Sequence, residues 1–253
     1  MAAATMNAAH HTRLPLVDAL RGFAVAQMIV YHFIYDLNHF GWLQLAMTRE
    51  QPWVGWRTAI VTQFLLLVGV SLVLRLARKP GWRDFWLRWA QVAAAAALVS
   101  LGSWLMFGPR FIYMGILHFI AVALILARLL APLREFNFAL AAVAFAAWWL
   151  ARDPANNGFP AHLLGFVTVK PRTEDYVPLF PWIAAVLAGL GLGSLWQRRG
   201  FALSPIWQRL NADPPRLLLL FGSWSLTVYL VHQPILIGLL WLGRRLSRRA
   251  GGT

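Results

Sequence analysis

Apolar residues gather along the chain in windows of about 20, the length that crosses a hydrocarbon core of roughly 30 Å as a helix. Short clusters of Arg, Pro and Gly part them. The pattern predicts seven spans, at about 14–37, 53–77, 85–107, 111–131, 136–151, 179–196 and 217–243. The fifth is short enough to be tilted or partly interfacial. No internal repeat is visible, and no linker is long enough to separate two domains. The expectation is an all-α fold, a polytopic transmembrane helical bundle of about seven spans, forming one integral-membrane domain over residues 1–253.

The first span, "RLPLVDALRGFAVAQMIVYHFIYDLNHFG", is not uniformly apolar. At about 100° per residue, Asp18, Arg21, His32, Asp36 and His39 fall within roughly a 60° arc, with Gln27 opposite. Such a stripe in a membrane helix faces protein or a water-filled cavity, not lipid. Asp18 and Arg21, at i and i+3, read as a structural ion pair at the interface. Asp36 stands where its carboxylate can accept a hydrogen bond from His32 or His39 and raise that ring's basicity. A general base or proton acceptor near neutral pH needs that arrangement. Two other readings stay open: a His–Asp pair that only fixes packing, and a three-ligand metal site. No companion acidic cluster lies on the other spans, so no metal is expected.

Two further spans carry a histidine, His118 in "RFIYMGILHFIAVALIL" and His232 in "GSWSLTVYLVHQPILIG". At a rise of about 1.5 Å per residue, His32, His118 and His232 fall at a similar depth, which suggests a shared chamber. Ser225, Tyr229 and His232 share one face of the last span, and Pro234 lies just beyond. Ser225, Tyr229 and His118 are candidate substrate contacts, as is Arg110, which reads equally as an interfacial anchor. "LAGLGLGSL" lacks the strand of a phosphate-cradling loop, so Ala185, Gly189 and Gly193 read as a small-residue packing ridge.

Composition agrees with a bilayer environment: 59% of residues are hydrophobic, against roughly 45–50% in soluble domains. The net charge of +14 does not point to nucleic acid, because the basic residues lie between apolar spans, where the positive-inside rule places them. Arg75, Arg78, Lys79, Arg83 and Arg88 mark the second loop as cytoplasmic, as Arg198, Arg199, Arg209 and Arg216 mark the sixth. The N-terminus is then cytoplasmic as well, and the charge-balanced loop 152–178 is outside. Seven spans would leave "RRLSRR" (244–249) outside against this rule, so the side of the tail stays open. The absence of Cys excludes disulfides, thiolate nucleophiles and Cys-ligated metals. "MAAATMNAAHHTR" shows no cleavage-site pattern, and the first span is expected to be retained.

Arg13, Asp18, Arg21-Gly22, His32 and Asp36 are followed in order by "FLLLVGVSLVL", "RFIYMGILHFIAV", "PLFPWIAAVLAGLGLG" and "GSWSLTVYLVHQP". This succession, over nearly all of residues 13–241, resembles the heparan-α-glucosaminide N-acetyltransferase catalytic-domain family in a compact bacterial form. The resemblance implies acyl transfer across the membrane, from cytosolic acetyl-CoA to an amino sugar on the far side, with an intramembrane histidine central. That role falls to His32 or His39, with Asp36 beside them and His232 assisting. Arg75, Arg78, Lys79 and Arg83 are placed to receive the CoA phosphates. Acetyl-CoA is expected as co-substrate, with no tightly bound cofactor. The expected partners are acyl-CoA, a glycan or amino-sugar acceptor, the lipid bilayer and a second copy of the chain in a homodimer. No counterpart of the extra lumenal domain and spans of the eukaryotic enzyme is expected, so heparan is not the expected acceptor. The Arg-rich, Lys-poor composition suggests a GC-rich bacterium, its inner membrane and an envelope glycan.

Two other functions compete with acyl transfer. One is a proton-coupled membrane carrier that uses the His/Asp seam as a relay, against which the lack of an inverted repeat weighs. The other is a structural membrane protein whose seam only specifies packing.

Overall fold

The structure, a computed structural model, describes residues 14–250, with side chains to residue 247. Arg13, the N-terminal stretch before it and the side chains of Arg248 and Arg249 lie outside the described residues. The helices are α1 (Pro15–His39), α2 (Trp53–Leu76), α3 (Trp82–Phe107), α4 (Ile116–Leu130), α5 (Asn137–Leu150), α6 (Ile183–Arg198), α7 (Pro205–Ala212), α8 (Arg216–Ser223) and α9 (Ser225–Ala250). Short 3₁₀ turns connect some of them, and the fold is all-α and polytopic.

Among the described residues, five helical stretches are long and apolar enough to cross a membrane: Pro15–His39, Trp53–Leu76, Trp82–Arg110, Ile116–Leu150 and Ser225–Ser247. The difference from seven has local causes. Ile116–Leu150 holds most of both the fourth and fifth expected spans, joined by a 3₁₀ stretch, Ala131–Phe136, in which Arg134 takes φ 50°. Asn137, fully buried, clips this joint by donating to the carbonyls of Leu130 (3.0 Å) and Arg134 (2.8 Å). The sixth expected span is α6, whose 16 residues reach only about 24 Å. The seventh is interrupted at Trp224, between α8 and α9, where Trp224 N–H (3.0 Å) and Ser223 Oγ (3.1 Å) both donate to the Leu220 carbonyl.

The chain forms two compact units. One comprises Leu65–Pro205. There the small-residue ridge of α6 meets α2: a Cβ on Gly189 would lie 2.2 Å from Leu66 O, and one on Gly69 2.3 Å from Val186 O. Glycine is required at both because backbone meets backbone. The loop before α6 folds onto the start of α4. Val177 N–H donates to Met114 O (2.8 Å), Thr173 Oγ to Phe111 O (2.7 Å), and Asp175 Oδ2 accepts from Ile116 N–H (3.1 Å). Asp175 therefore caps the N-terminus of α4.

The other unit comprises Pro15–Phe64 with the chain from Ile206 onward. In it α1 crosses α8 at backbone contact, where Gly22 and Gly222 each face the opposing main chain. The face of α1 carrying Gln27 turns to α2 instead. Trp56 Nε1–H donates to Gln27 Oε1 (3.2 Å), Gln27 Nε2 to Gln63 Oε1 (3.0 Å), and Gln63 Nε2 to Leu20 O (3.3 Å). Tyr31, Met47 and Ile60 form the buried core of this region. Asn38 holds the following loop by exchanging two hydrogen bonds with Leu45.

Candidate active site

The histidine stripe of α1 faces α9. His232 Nδ1 lies 2.7 Å from the Tyr229 carbonyl, one turn earlier on α9, and donates to it. In neutral His232 the Nε2 is then a lone pair, and His32 Nδ1 stands 3.0 Å from it. The donor in that contact is His32 Nδ1–H. The proton of His32 is thereby fixed on Nδ1, leaving Nε2 as the unprotonated nitrogen. His32 Nε2 has no hydrogen-bond partner among the described residues. The two rings are 5.0 Å apart at an interplanar angle of 35°.

Asp36 is 3% exposed, yet its partner is not an imidazole. Its Oδ1 accepts from Gln233 Nε2 at 2.9 Å, and its Oδ2 is buried with no partner. The expected carboxylate–imidazole pair is replaced by a carboxyl–amide pair between Asp36, one turn after His32 on α1, and Gln233, the residue next to His232 on α9. His39 is exposed at the end of α1, its ring edge against Phe40 (5.8 Å). Gln233 is not among the site residues expected from the sequence. Its signal is a lone amide inside an apolar stretch, between His232 and Pro234. Among the described residues, no three His, Cys, Asp or Glu side chains gather to hold a metal ion.

The remaining residues divide clearly. Asp18 and Arg21 pair at 2.8 Å, and Arg21 also donates to the Gly222 carbonyl (3.3 Å). Ser225 is buried at the first residue of α9, and Tyr229 contributes its carbonyl to His232 with its ring 5.6 Å away. His118 lies in the Leu65–Pro205 unit, where both its ring nitrogens are engaged. Gly115 N–H donates to Nδ1 (3.3 Å), and Nε2–H donates to Ser100 Oγ (2.8 Å), which passes its own proton to the Ile112 carbonyl (2.7 Å). This arrangement fixes the entry to α4 and leaves no ring nitrogen for a ligand.

Arg110 is exposed and pairs with Glu174 (3.4 Å). Arg75 donates to the Asp84 carbonyl (2.8 Å) and lines, with Arg78 and Arg88, an open cleft of about 470 Å³. Lys79 and Arg83 are exposed and do not line it. In the loop before α6, the Tyr176 hydroxyl donates to the His162 carbonyl. Burial, reinforced by the nearby Tyr113, pushes its phenol up to about 12.

No curated protein and no solved structure matches the chain. A family model does match, over residues 13–234, a range that holds α1 and its stripe at one end and the His232–Gln233 pair at the other. That family comprises membrane acyltransferases, which the apolar helices fit. The chain belongs to the family described as heparan-alpha-glucosaminide N-acetyltransferase, catalytic.

Proposed function

We propose that this protein transfers an acyl group, in the first instance acetyl, from cytosolic acyl-CoA to an amino sugar or envelope glycan outside a bacterial inner membrane, with its N-terminus cytoplasmic. One observation carries the reading. The hydrogen-bond chain from His32 through His232 to the Tyr229 carbonyl holds His32 Nε2 as a free lone pair on a membrane helix. An acyl acceptor or general base needs that state.

His32 Nε2 is the nitrogen we assign to the reacting centre. It attacks the thioester carbonyl or takes the acceptor's proton, and the positive charge that develops on the ring is spread toward His232 and the Tyr229 carbonyl. His232 is the orienting partner, comparable to the group that holds a catalytic imidazole in one tautomer. Arg75 and Arg78, in the cleft with Arg88, are the side chains we assign to the CoA phosphates. His39 has no part in this scheme.

The test is purified protein with labelled acetyl-CoA, following thioester loss and acetylated product with and without amino sugars. His32→Ala should abolish turnover, His232→Ala should lower it, and His39→Ala should leave it near wild type. Turnover unchanged by all three substitutions would remove the assignment. A proton-coupled carrier would leave acetyl-CoA intact.

A further inference from the structure

Among the described residues of the unit that bears the two facing histidines, Asp36 Oδ2 and Gln233 Oε1 are the buried side-chain atoms without a hydrogen-bond partner. They belong to side chains already joined, since Gln233 Nε2 donates to Asp36 Oδ1 at 2.9 Å. An ionised Asp36 would bury a full charge with one oxygen bare, and no Arg or Lys hydrogen-bonds to it among the described residues. Burying such a charge is costly, and a group in that position neutralises instead. A protonated carboxyl has one donor, and Gln233 Oε1 is a bare acceptor on the neighbouring side chain.

We propose that Asp36 is a carboxylic acid in the resting protein, its Oδ2–H donating to Gln233 Oε1, so that the two side chains close an acid–amide ring. One proton then satisfies both bare atoms. The titratable groups nearest along the two helices are His32 and His39 on α1 and His232 on α9. His32 Nδ1–H donates to His232 and His232 Nδ1–H to the Tyr229 carbonyl, while the side-chain partner of Asp36 is Gln233 and His39 is exposed, so the proton stays with the Asp36–Gln233 pair. Gln233 is a positioning residue that keeps the proton on Asp36.

A use for this proton follows if the acyl-transfer reading holds, and this step rests on that reading. As His32 Nε2 bonds the acyl carbon, the C–S bond breaks and the sulfur takes the Asp36 proton, leaving as thiol. An acyl-imidazolium then stands about one helical turn from an Asp36 carboxylate, opposite charges that offset each other. When the acceptor O–H or N–H attacks, its proton returns to Asp36 and the imidazole departs neutral. Charge and protons balance over both halves. The acid thus spares the site from releasing a thiolate into a medium that solvates it poorly.

Infrared difference spectroscopy on the purified full-length protein, with no substrate added, tests the proton directly. Wild type minus Asp36→Asn at neutral pH should show the C=O band of a hydrogen-bonded carboxylic acid. Gln233→Leu should move that band to the position of an acid freed of its partner, and it reports without requiring the Asp36 variant to fold. Carboxylate bands alone would overturn the proposal, including the case of an amine or other cation held by the two oxygens. A band unmoved by Gln233→Leu would overturn the ring. Absence of acetyl-CoA turnover in wild type would refute the proposed function while leaving the infrared result standing.

Discussion

Gly222→Ala tests the helix crossing that carries α1. A Cβ at position 222 would lie 1.7 Å from Asp18 O, 2.6 Å from Asp18 C and 3.1 Å from Asp18 Cα, and one at Gly22 would lie 1.9 Å from Leu218 O. These are backbone atoms of a regular helix and cannot swing aside as a side chain would. Ordinary contact begins near 3.4 Å, so α1 and α8 must part by roughly 1.5 Å. That separation also strains the Arg21 bond to the Gly222 carbonyl, already 3.3 Å long. Overpacking of this kind costs about 3 kcal/mol. The helix propensity of Ala over Gly offsets about 1 kcal/mol. The net loss of about 2 kcal/mol corresponds to a fall in Tm of about 4 to 8 °C for a chain of this size. Thermal unfolding of the detergent-solubilised protein by circular dichroism measures it. Gly238→Ala on α9 is the control, because nothing lies within 4 Å of its Cβ position; its Tm should hold or rise. Gly22→Ala combined with Gly222→Ala should cost less than the two single losses added, since the first methyl has already opened the crossing. A Gly222→Ala protein that melts with wild type would refute the reasoning.

Three further predictions follow from the geometry. His232→Ala should reduce acyl transfer by about 10²-fold or more through loss of the tautomer lock on His32, while His39→Ala stays within a few fold; equal effects would sink the distinction. Asn137→Ala strips the donors from the Leu130 and Arg134 carbonyls and should cost about 2 kcal/mol in chemical unfolding, with full stability refuting the clip. Tyr176, held at about 12 against 10.0 in the unfolded chain, is neutral in both states below pH 10. Its contribution to stability is therefore constant below pH 10 and is lost as pH rises from 10 to 12, when the unfolded chain ionises first. Ultraviolet titration should show the Tyr176 phenolate appearing late, and Tyr176→Phe should remove one phenolate from the late part of the curve.

The sequence made the apolar stretches and the stripe on α1 legible because both depend on periodicity alone. The stripe lies on one face, and Gln27, placed opposite by the same count, meets α2 there. The breaks were harder to read. Trp224 interrupts a stretch that is apolar on both sides, next to the point where α8 meets the α1 backbone at Gly222, a contact that hydropathy does not register. Arg134 adopts a left-handed backbone with no Gly or Asn to announce it, held by Asn137 from three residues away. Within the site, His32 and His232 were legible as ionisable groups in apolar surroundings. Which of the two keeps a free nitrogen depends on the Tyr229 carbonyl, a backbone atom that residue identity does not reveal. Gln233 shows the same limit, since it carries no charge and its importance lies in what Asp36 lacks.

The glutamines at positions 27 and 63 bear on the azimuth of α1. Their relay runs one way, from the Trp56 indole to the Leu20 carbonyl, and each oxygen and nitrogen in it has a single assigned partner. Turning α1 by one residue about its axis would swing Gln27 through about 100° and break that relay at Gln27. The same swing would carry His32 away from His232. An uncharged ladder on the far side of the helix thus acts as the index mark that sets where the imidazole points, and a substitution there would misaim the chemistry without touching it.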